Sequence, residues 1–231
     1  MTTVVLVRHG LTAMTGPLLA GWTPELHLDE RGRTQAAAVA ERLRPVSFSA
    51  LVSSPLDRCL DTAAAIARGR DQQVQVDEGI GECRYGDWTG KALKDLAKEP
   101  MWKVVQNHPS AAVFPGPEGE ALRETQNRAV AAIRRWNAEL GPDATWLACS
   151  HGDVIKAITA DALGLHLDQF QRIIIDPSSV TIIRYTDQRP FVVRVNDTGG
   201  GVADLLPPAK KGRRKKGEAD AVVGGGAGAD A

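Results

Sequence analysis

The chain opens on a β-branched apolar run at residues 2–7, short enough to be a buried strand. A polar stretch rich in Gly and Pro leads to about Leu28, and there the period changes. Ala36, Val39, Ala40 and Leu43 fall on one face of a predicted helix, with Asp29 as its cap and Pro45 as its stop. Residues 50–53 read as a second strand. Pro55 stands where the next helix begins, and Leu56, Leu60, Ala63, Ala64 and Ala67 recur at helical spacing. Residues 74–77 are a third short strand, and residues 89–107 have helical character broken by Pro100. The strongest helical pattern runs from about Glu118 to Leu140, turns Leu122, Thr125, Ala129, Ile133, Trp136 and Leu140 inward, and ends at Gly141-Pro142. A strand at 145–149, a helix at 154–163 and a strand pair at 179–185 and 191–195 complete the pattern. Strands alternating with helices predict an α/β fold: three αβα layers around a mostly parallel central sheet.

Composition changes this picture at one end only. With 43% hydrophobic and 24% charged residues, the chain is ordinary for a globular protein, and 231 residues can bury a large core. From Gly199 onward it turns to Gly, Ala, Pro and a basic cluster at 210–216, so residues 1–198 are expected to fold as one domain and 199–231 to form a disordered tail. The tail holds 6 basic and 4 acidic residues against 22 and 24 in residues 1–198, so the basic cluster belongs to the tail alone. Nucleic acid is therefore an unfavoured partner. No apolar run approaches the roughly 20 residues that span a bilayer, so no membrane partner is expected. The N-terminus lacks a signal-peptide pattern, and a cytoplasmic location is expected. Cys59, Cys83 and Cys149 are an odd set without CxxC spacing and read as small buried hydrophobes in a reducing compartment.

In an open α/β sheet, ligands bind beyond the carboxyl ends of the strands. Arg8-His9-Gly10 follows the first predicted strand, Arg58 the second, Glu82 the third and Ser150-His151-Gly152 the fourth. Two histidines, two arginines and a carboxylate thus converge on one sheet edge, a set suited to phosphoryl transfer. Arginine forks bind a phosphate dianion without losing charge. A neutral imidazole can take the phosphoryl group covalently, and a second, if cationic, can neutralise its oxygens. A carboxyl group can protonate the leaving oxygen and then take a proton from water. Gly10 and Gly152 would allow close backbone approach to an oxyanion. No cysteine is followed six residues later by arginine, and there is no GxSxG, GxxxxGK[ST] or HExxH. Arg8 beside His9 would repel a cation, so no metal and no cofactor is expected.

Arg8-His9-Gly10, Ser53-Ser54-Pro55-Leu56-Asp57-Arg58 with Thr62-Ala63, Glu82 within Glu-Cys-Arg-Tyr85-Gly86, and Ser150-His151-Gly152 resemble the motifs of the histidine phosphatase superfamily, in its phosphoglycerate-mutase-like branch. These motifs come in the family's order and spacing across most of residues 3–195. The resemblance implies that His9 is the phosphorylated nucleophile, that Arg8, Arg58 and His151 form the phosphate pocket, and that Glu82 is the acid and base. It places substrate contacts on Arg8, Thr12, Thr15, Arg58, Glu82, Tyr85, His151 and Gly152. Leu11 stands where many members carry an acidic residue, and Thr15 where an asparagine often contacts the phosphate. The Ala-, Gly- and Arg-rich composition has an actinobacterial cast and fits a group labelled phosphomutases.

The expected activity is a metal-independent phosphomonoesterase, of histidine acid phosphatase type, acting on a small phosphorylated metabolite. A phosphomutase using the same phosphohistidine is the alternative. Glycolytic mutases carry paired arginines for the substrate carboxylate, whereas residues 92–117 with neighbouring Lys91 offer only lysines (Lys94, Lys98, Lys103). Two further readings are a catalytically dead phosphoester-binding module and a protein acting through its basic tail. Trp22 is expected to flank the site. Trp88, Trp102 and Phe114 fit either the pocket or the core, and His27, His108 and His166 read as structural or exposed. A homodimer stays open.

Overall fold

The computed structural model describes residues 1–200 together with Gly224 and Gly226. The expected tail and its basic cluster lie outside the described residues apart from Gly199, Gly200, Gly224 and Gly226.

Twelve regular elements follow one another: β1 (Thr2–Arg8), α1 (Glu30–Leu43), β2 (Leu51–Ser53), α2 (Asp57–Ala67), β3 (Val74–Val76), α3 (Leu93–Leu96), α4 (Pro100–Asn107), α5 (Leu122–Leu140), β4 (Thr145–Ser150), α6 (Gly152–Ala162), β5 (Val180–Tyr185) and β6 (Pro190–Asp197). The six strands form one sheet in the order β3-β2-β4-β1-β5-β6. β3, β2, β4 and β1 pair in parallel, while β5 runs antiparallel to β1 and β6. The predicted αβα layering and mostly parallel sheet are the observed architecture.

Both faces of the central strands are buried, which explains their continuous apolar sequences. Along β1, Val4 and Leu6 pack into one core and Val5 and Val7 into the other. Along β4, Trp146 and Ala148 join the first and Leu147 and Cys149 the second, as the two-residue period of a strand requires. The first core is closed by α5 and α6 through Ile133 and Ile155, the second by α1 and α2 through Val39, Ala63 and Ile66. All three cysteines are free and buried.

Two expectations need correction. The buried side of α2 carries Arg58, Cys59, Thr62, Ala63 and Ile66, whereas Leu60, Ala64 and Ala67 are not buried. The helix is rotated because two polar residues, Arg58 and Thr62, are committed inward. α5 starts at Leu122, because the residues before it are held in extended pairing: Phe114 N–H donates to the Glu120 carbonyl (3.1 Å) and Glu120 N–H to that of Arg84 (2.9 Å). The helical stretch at 89–107 is divided as expected: α3 ends at Leu96, and Pro100 opens α4 in its first turn.

The start of α1 is pressed against the loop that follows β1. Asp29 caps the helix by accepting from Gly32 N–H at 2.8 Å. A Cβ on Gly10 would meet the Gly32 carbonyl oxygen at 2.6 Å, and one on Gly32 would run into the Leu11 backbone. Helix packing by itself thus requires glycine at position 10. Gly32→Ala is expected to cost about 1–3 kcal/mol of stability, as overpacking against backbone does. Urea unfolding checks this; an unchanged midpoint would show that the helix can back away freely.

Candidate active site

The parallel pairing of β1 with β4 puts Arg8 beside Ser150, so the residues that follow, His9 and His151, leave the sheet side by side. Their ring centroids lie 5.2 Å apart. Pairing of β2 with β4 delivers the turn that starts α2, and with it Arg58, to the same edge. The segment after β3 supplies Glu82. Arg8, His9, Thr15, Arg58, Glu82 and Tyr85 line one cleft of about 330 Å³. The five residues expected to do chemistry therefore converge as the sequence predicts. Among the described residues, no three His, Cys, Asp or Glu side chains gather as a metal site.

His9 is held in one tautomer. Its Nδ1 lies 2.7 Å from the Gly10 carbonyl, an acceptor only, so Nδ1 carries the proton. Arg58 Nε–H points at Nε2 from 3.3 Å, which leaves that atom with its lone pair. Burial, then Arg58 and Arg8, hold the His9 pKa well below the usual imidazole range. The result is a neutral imidazole whose unprotonated Nε2 accepts from Arg58 and can attack once that donor turns to a phosphate oxygen. Gly10 N–H donates to the Thr62 hydroxyl (3.1 Å), which ties α2 to this loop and accounts for the inward turn of Thr62.

His151 is also kept neutral, by burial first and then by Arg58. Arg58 Nη2 donates to its Nδ1 at 3.3 Å, while Nε2 shares a 2.8 Å hydrogen bond with the Ser54 hydroxyl. The cationic imidazole considered for this position is thus disfavoured beside the guanidinium. Arg58 is fully buried, is anchored by the Gly21 carbonyl at 2.7 Å, and keeps Nη1 without a hydrogen-bond partner among the described residues. Such a donor suits a phosphate oxygen.

Glu82 is 3% exposed, and its pKa is pushed up to about 7 by burial first and by Asp153 second, against the pull of Arg58 and Arg8. Its Oε2 lies 3.6 Å from His151 Nδ1, and its Oε1 accepts from Cys83 N–H at 2.9 Å. The backbone beneath it is stapled: the Glu82 carbonyl accepts from Trp22 Nε1 and from Arg128 Nη2, both at 2.7 Å. Arg128 also donates to the carbonyls of Gly79 (3.0 Å) and Gly81 (2.8 Å) and is ion-paired with Glu120. Trp22 flanks the site in this way, under the Arg84 guanidinium at 3.9 Å.

Of the other expected contacts, Thr15 lines the cleft, and Thr12 is buried with its hydroxyl 2.9 Å from that of Thr15. Tyr85 is fully buried, its hydroxyl 3.0 Å from Asp153 and 3.5 Å from Glu82. Gly152 is buried as the first residue of α6. Trp88 and Phe114 belong to the core, with Trp102 packed against it. His27 pairs with Asp61 and His166 with Asp168. Arg128, Ser54 and Asp153 were not among the expected site residues. Arg128 and Asp153 are hydrophilic residues of helices with no motif of their own, so only contact reveals them.

The Arg8 guanidinium meets the chain's own far end. Its Nη1 donates to the carbonyls of Ile175 (2.8 Å) and Gly226 (2.6 Å), and its Nη2 lies 3.5 Å from that of Gly224. Gly224 has φ +77°, and a Cβ there would meet Leu19 Cδ1 at 2.8 Å. A phosphate that reaches Arg8 competes with these carbonyls. Gly224→Val is therefore expected to tighten inorganic phosphate binding several-fold by calorimetric titration. An unchanged Kd would show that the two glycines impose no cost.

Residues 4–198 match the family model described as the histidine phosphatase superfamily (branch 1). Over 214 residues, covering 90% of this chain and 97% of the other, the sequence is 28% identical to a Cronobacter sakazakii protein named "Probable phosphoglycerate mutase GpmB". It is 30% identical over 175 residues to the glucosyl-3-phosphoglycerate phosphatase of Mycolicibacterium vanbaalenii, covering 72% of this chain and 76% of that one. Among solved structures, Bacillus stearothermophilus YhfR superposes with a TM-score of 0.77 at 27% identity, covering 85% of this chain and 98% of the other. With the family match spanning nearly the whole described chain, this protein belongs to the histidine phosphatase superfamily, in its branch 1.

Proposed function

We propose that the protein is a metal-independent phosphomonoester hydrolase that works through phospho-His9 on a small phosphorylated metabolite. The observation that carries this reading is the pairing of a neutral His9, its Nε2 turned to Arg58, with a Glu82 carboxyl whose pKa is raised to about 7 in the same cleft. His9 Nε2 attacks phosphorus while Arg58 and Arg8 hold the phosphate oxygens. The bond from phosphorus to the ester oxygen breaks, and that oxygen takes the proton of Glu82. Glu82, now a carboxylate, accepts a proton from water as the water oxygen attacks phosphorus. The phosphorus–nitrogen bond breaks, inorganic phosphate leaves, and both residues return to their starting forms.

The variable segment supports a hydrolase over a mutase. Lys91, Lys94, Lys98 and Lys103 are exposed and are not among the residues lining the cleft, so they do not supply a site for a substrate carboxylate. Similarity to a phosphoglycerate mutase keeps the mutase as a second reading. Incubation with 3-phosphoglycerate and a trace of 2,3-bisphosphoglycerate separates them: phosphate release should outrun isomerisation, and the reverse would favour the mutase. The buried free thiols support a reducing, cytoplasmic setting.

Rapid-quench mass spectrometry with a phosphomonoester should trap phosphate on His9, and His9→Ala should lose turnover by orders of magnitude. Full hydrolysis by His9→Ala would remove the proposal.

Glu82 must be protonated to expel an alkoxide, so kcat/KM for an alkyl phosphate should be high at acidic pH. It should fall as pH rises through about 7, where this carboxyl ionises. An aryl phosphate needs little proton donation and should lack this alkaline fall. Glu82→Gln should accordingly cripple alkyl esters far more than formation of phospho-His9 from an aryl ester. Equal losses on both would count against the acid role.

A further inference from the structure

A second acidic residue stands behind Glu82. Asp153 lies in the first turn of α6 and is fully buried, and among the described residues the Tyr85 hydroxyl bridges it to Glu82. The Tyr85 hydroxyl is 3.0 Å from Asp153 Oδ2 and 3.5 Å from Glu82 Oε1. A phenol has one proton to donate. The closer, ion-paired Asp153 takes it, which turns the electron-rich side of the tyrosine oxygen towards Glu82. Burial and both carboxylates push the Tyr85 hydroxyl well above its ordinary pKa, so it stays a phenol. Opposite Tyr85, Asp153 Oδ1 is 3.3 Å from Lys156 Nζ, itself 4% exposed and 3.1 Å from the Gln171 side-chain oxygen. Gly224 N–H donates to Asp153 Oδ2 at 2.8 Å.

We propose that Asp153 is a positioning residue for catalysis: acting across the Tyr85 hydroxyl, it holds Glu82 in the protonated form needed to expel the leaving group. The charged and titratable groups facing Glu82 come from every side. Arg8 from the end of β1 and Arg58 from α2 favour its anion, as does the Cys83 N–H; neutral His151 follows β4, and Arg128 of α5 meets its carbonyl. Against two guanidinium groups in one buried cleft, the carboxyl keeps its proton through burial first and through a nearby negative charge second. Asp153 supplies that opposition, and Lys156 moderates it. The arrangement also gives Tyr85 a part in the chemistry through Glu82.

This inference rests on the reading of Glu82 as the general acid, and the test separates the two. The full-length protein is compared with Asp153→Asn and Lys156→Met by pH profiles of kcat/KM on an alkyl phosphate, with an aryl phosphate alongside. Circular dichroism melting confirms that each variant is folded. The ester's own ionisation is common to all. Removing the negative charge should move the alkaline fall to lower pH by about one unit, and removing the positive charge, which stands beyond Asp153, should move it to higher pH by less. At a pH one unit above the wild-type midpoint, Lys156→Met should then exceed Asp153→Asn several-fold relative to their acidic plateaus. A merely structural ion pair would lower activity at all pH values or shift both variants the same way, and either result overturns the proposal. In a Tyr85→Phe background the Asp153→Asn shift should shrink, and a full-sized shift there overturns the route through Tyr85. If the wild type shows no alkaline fall peculiar to alkyl esters, the acid role of Glu82 fails instead.

Discussion

Two guanidinium groups buried at 1% and 0% exposure, around one imidazole, are the constraint from which the rest of this site follows. A charge taken out of water is costly unless an opposite charge or several hydrogen bonds meet it. Backbone carbonyls meet part of the demand: Ile175 and the two tail glycines for Arg8, Gly21 for Arg58. Arg58 also donates to His9 and to His151, and its Nη1 has no hydrogen-bond partner among the described residues. Burial first, and this positive potential second, keep both imidazoles neutral, and the potential makes a phosphate dianion the ligand that relieves it most. Nucleophile activation and substrate preference thus come from one electrostatic fact.

The same field works against protonation of Glu82, since it favours the carboxylate over the carboxylic acid that the proposed mechanism needs. Burial of Glu82 and the nearby Asp153 outweigh it. Position matters as much as charge. Arg128 holds three carbonyls of the Gly79–Glu82 backbone as well as Glu120, and Trp22 holds a fourth contact, so the acid stands on backbone fixed from two sides. A group so braced is set in place before the substrate arrives, which is where preorganised sites gain their rate.

Much of this was legible in the chain. The strand runs were clear because parallel strands buried on both faces show no polar alternation. The order of the catalytic residues followed from the rule that ligands bind beyond the strand ends. Illegible features had a common character. The rotation of α2 was misread from its alanines, because Arg58 and Thr62 look like surface residues until the cleft gives them partners. The late start of α5 was missed because residues 118–121 could have continued a helix and instead pair with distant backbone.

Residue types and their order along the chain determined the layered α/β fold, the strand ends beyond which ligands bind, and the gathering of His9, Arg8, Arg58, Glu82 and His151 there. Those properties depend on local period and on what each side chain can do. Tertiary structure alone decided which imidazole nitrogen is free, that His151 is neutral, that Glu82 holds its proton near neutrality, and that Asp153, Arg128, Gly224 and Gly226 belong to the site. The physical reason is that protonation and tautomer are set by burial and by charges a few ångströms away. In this fold those charges come from residues dozens to hundreds of positions apart in sequence.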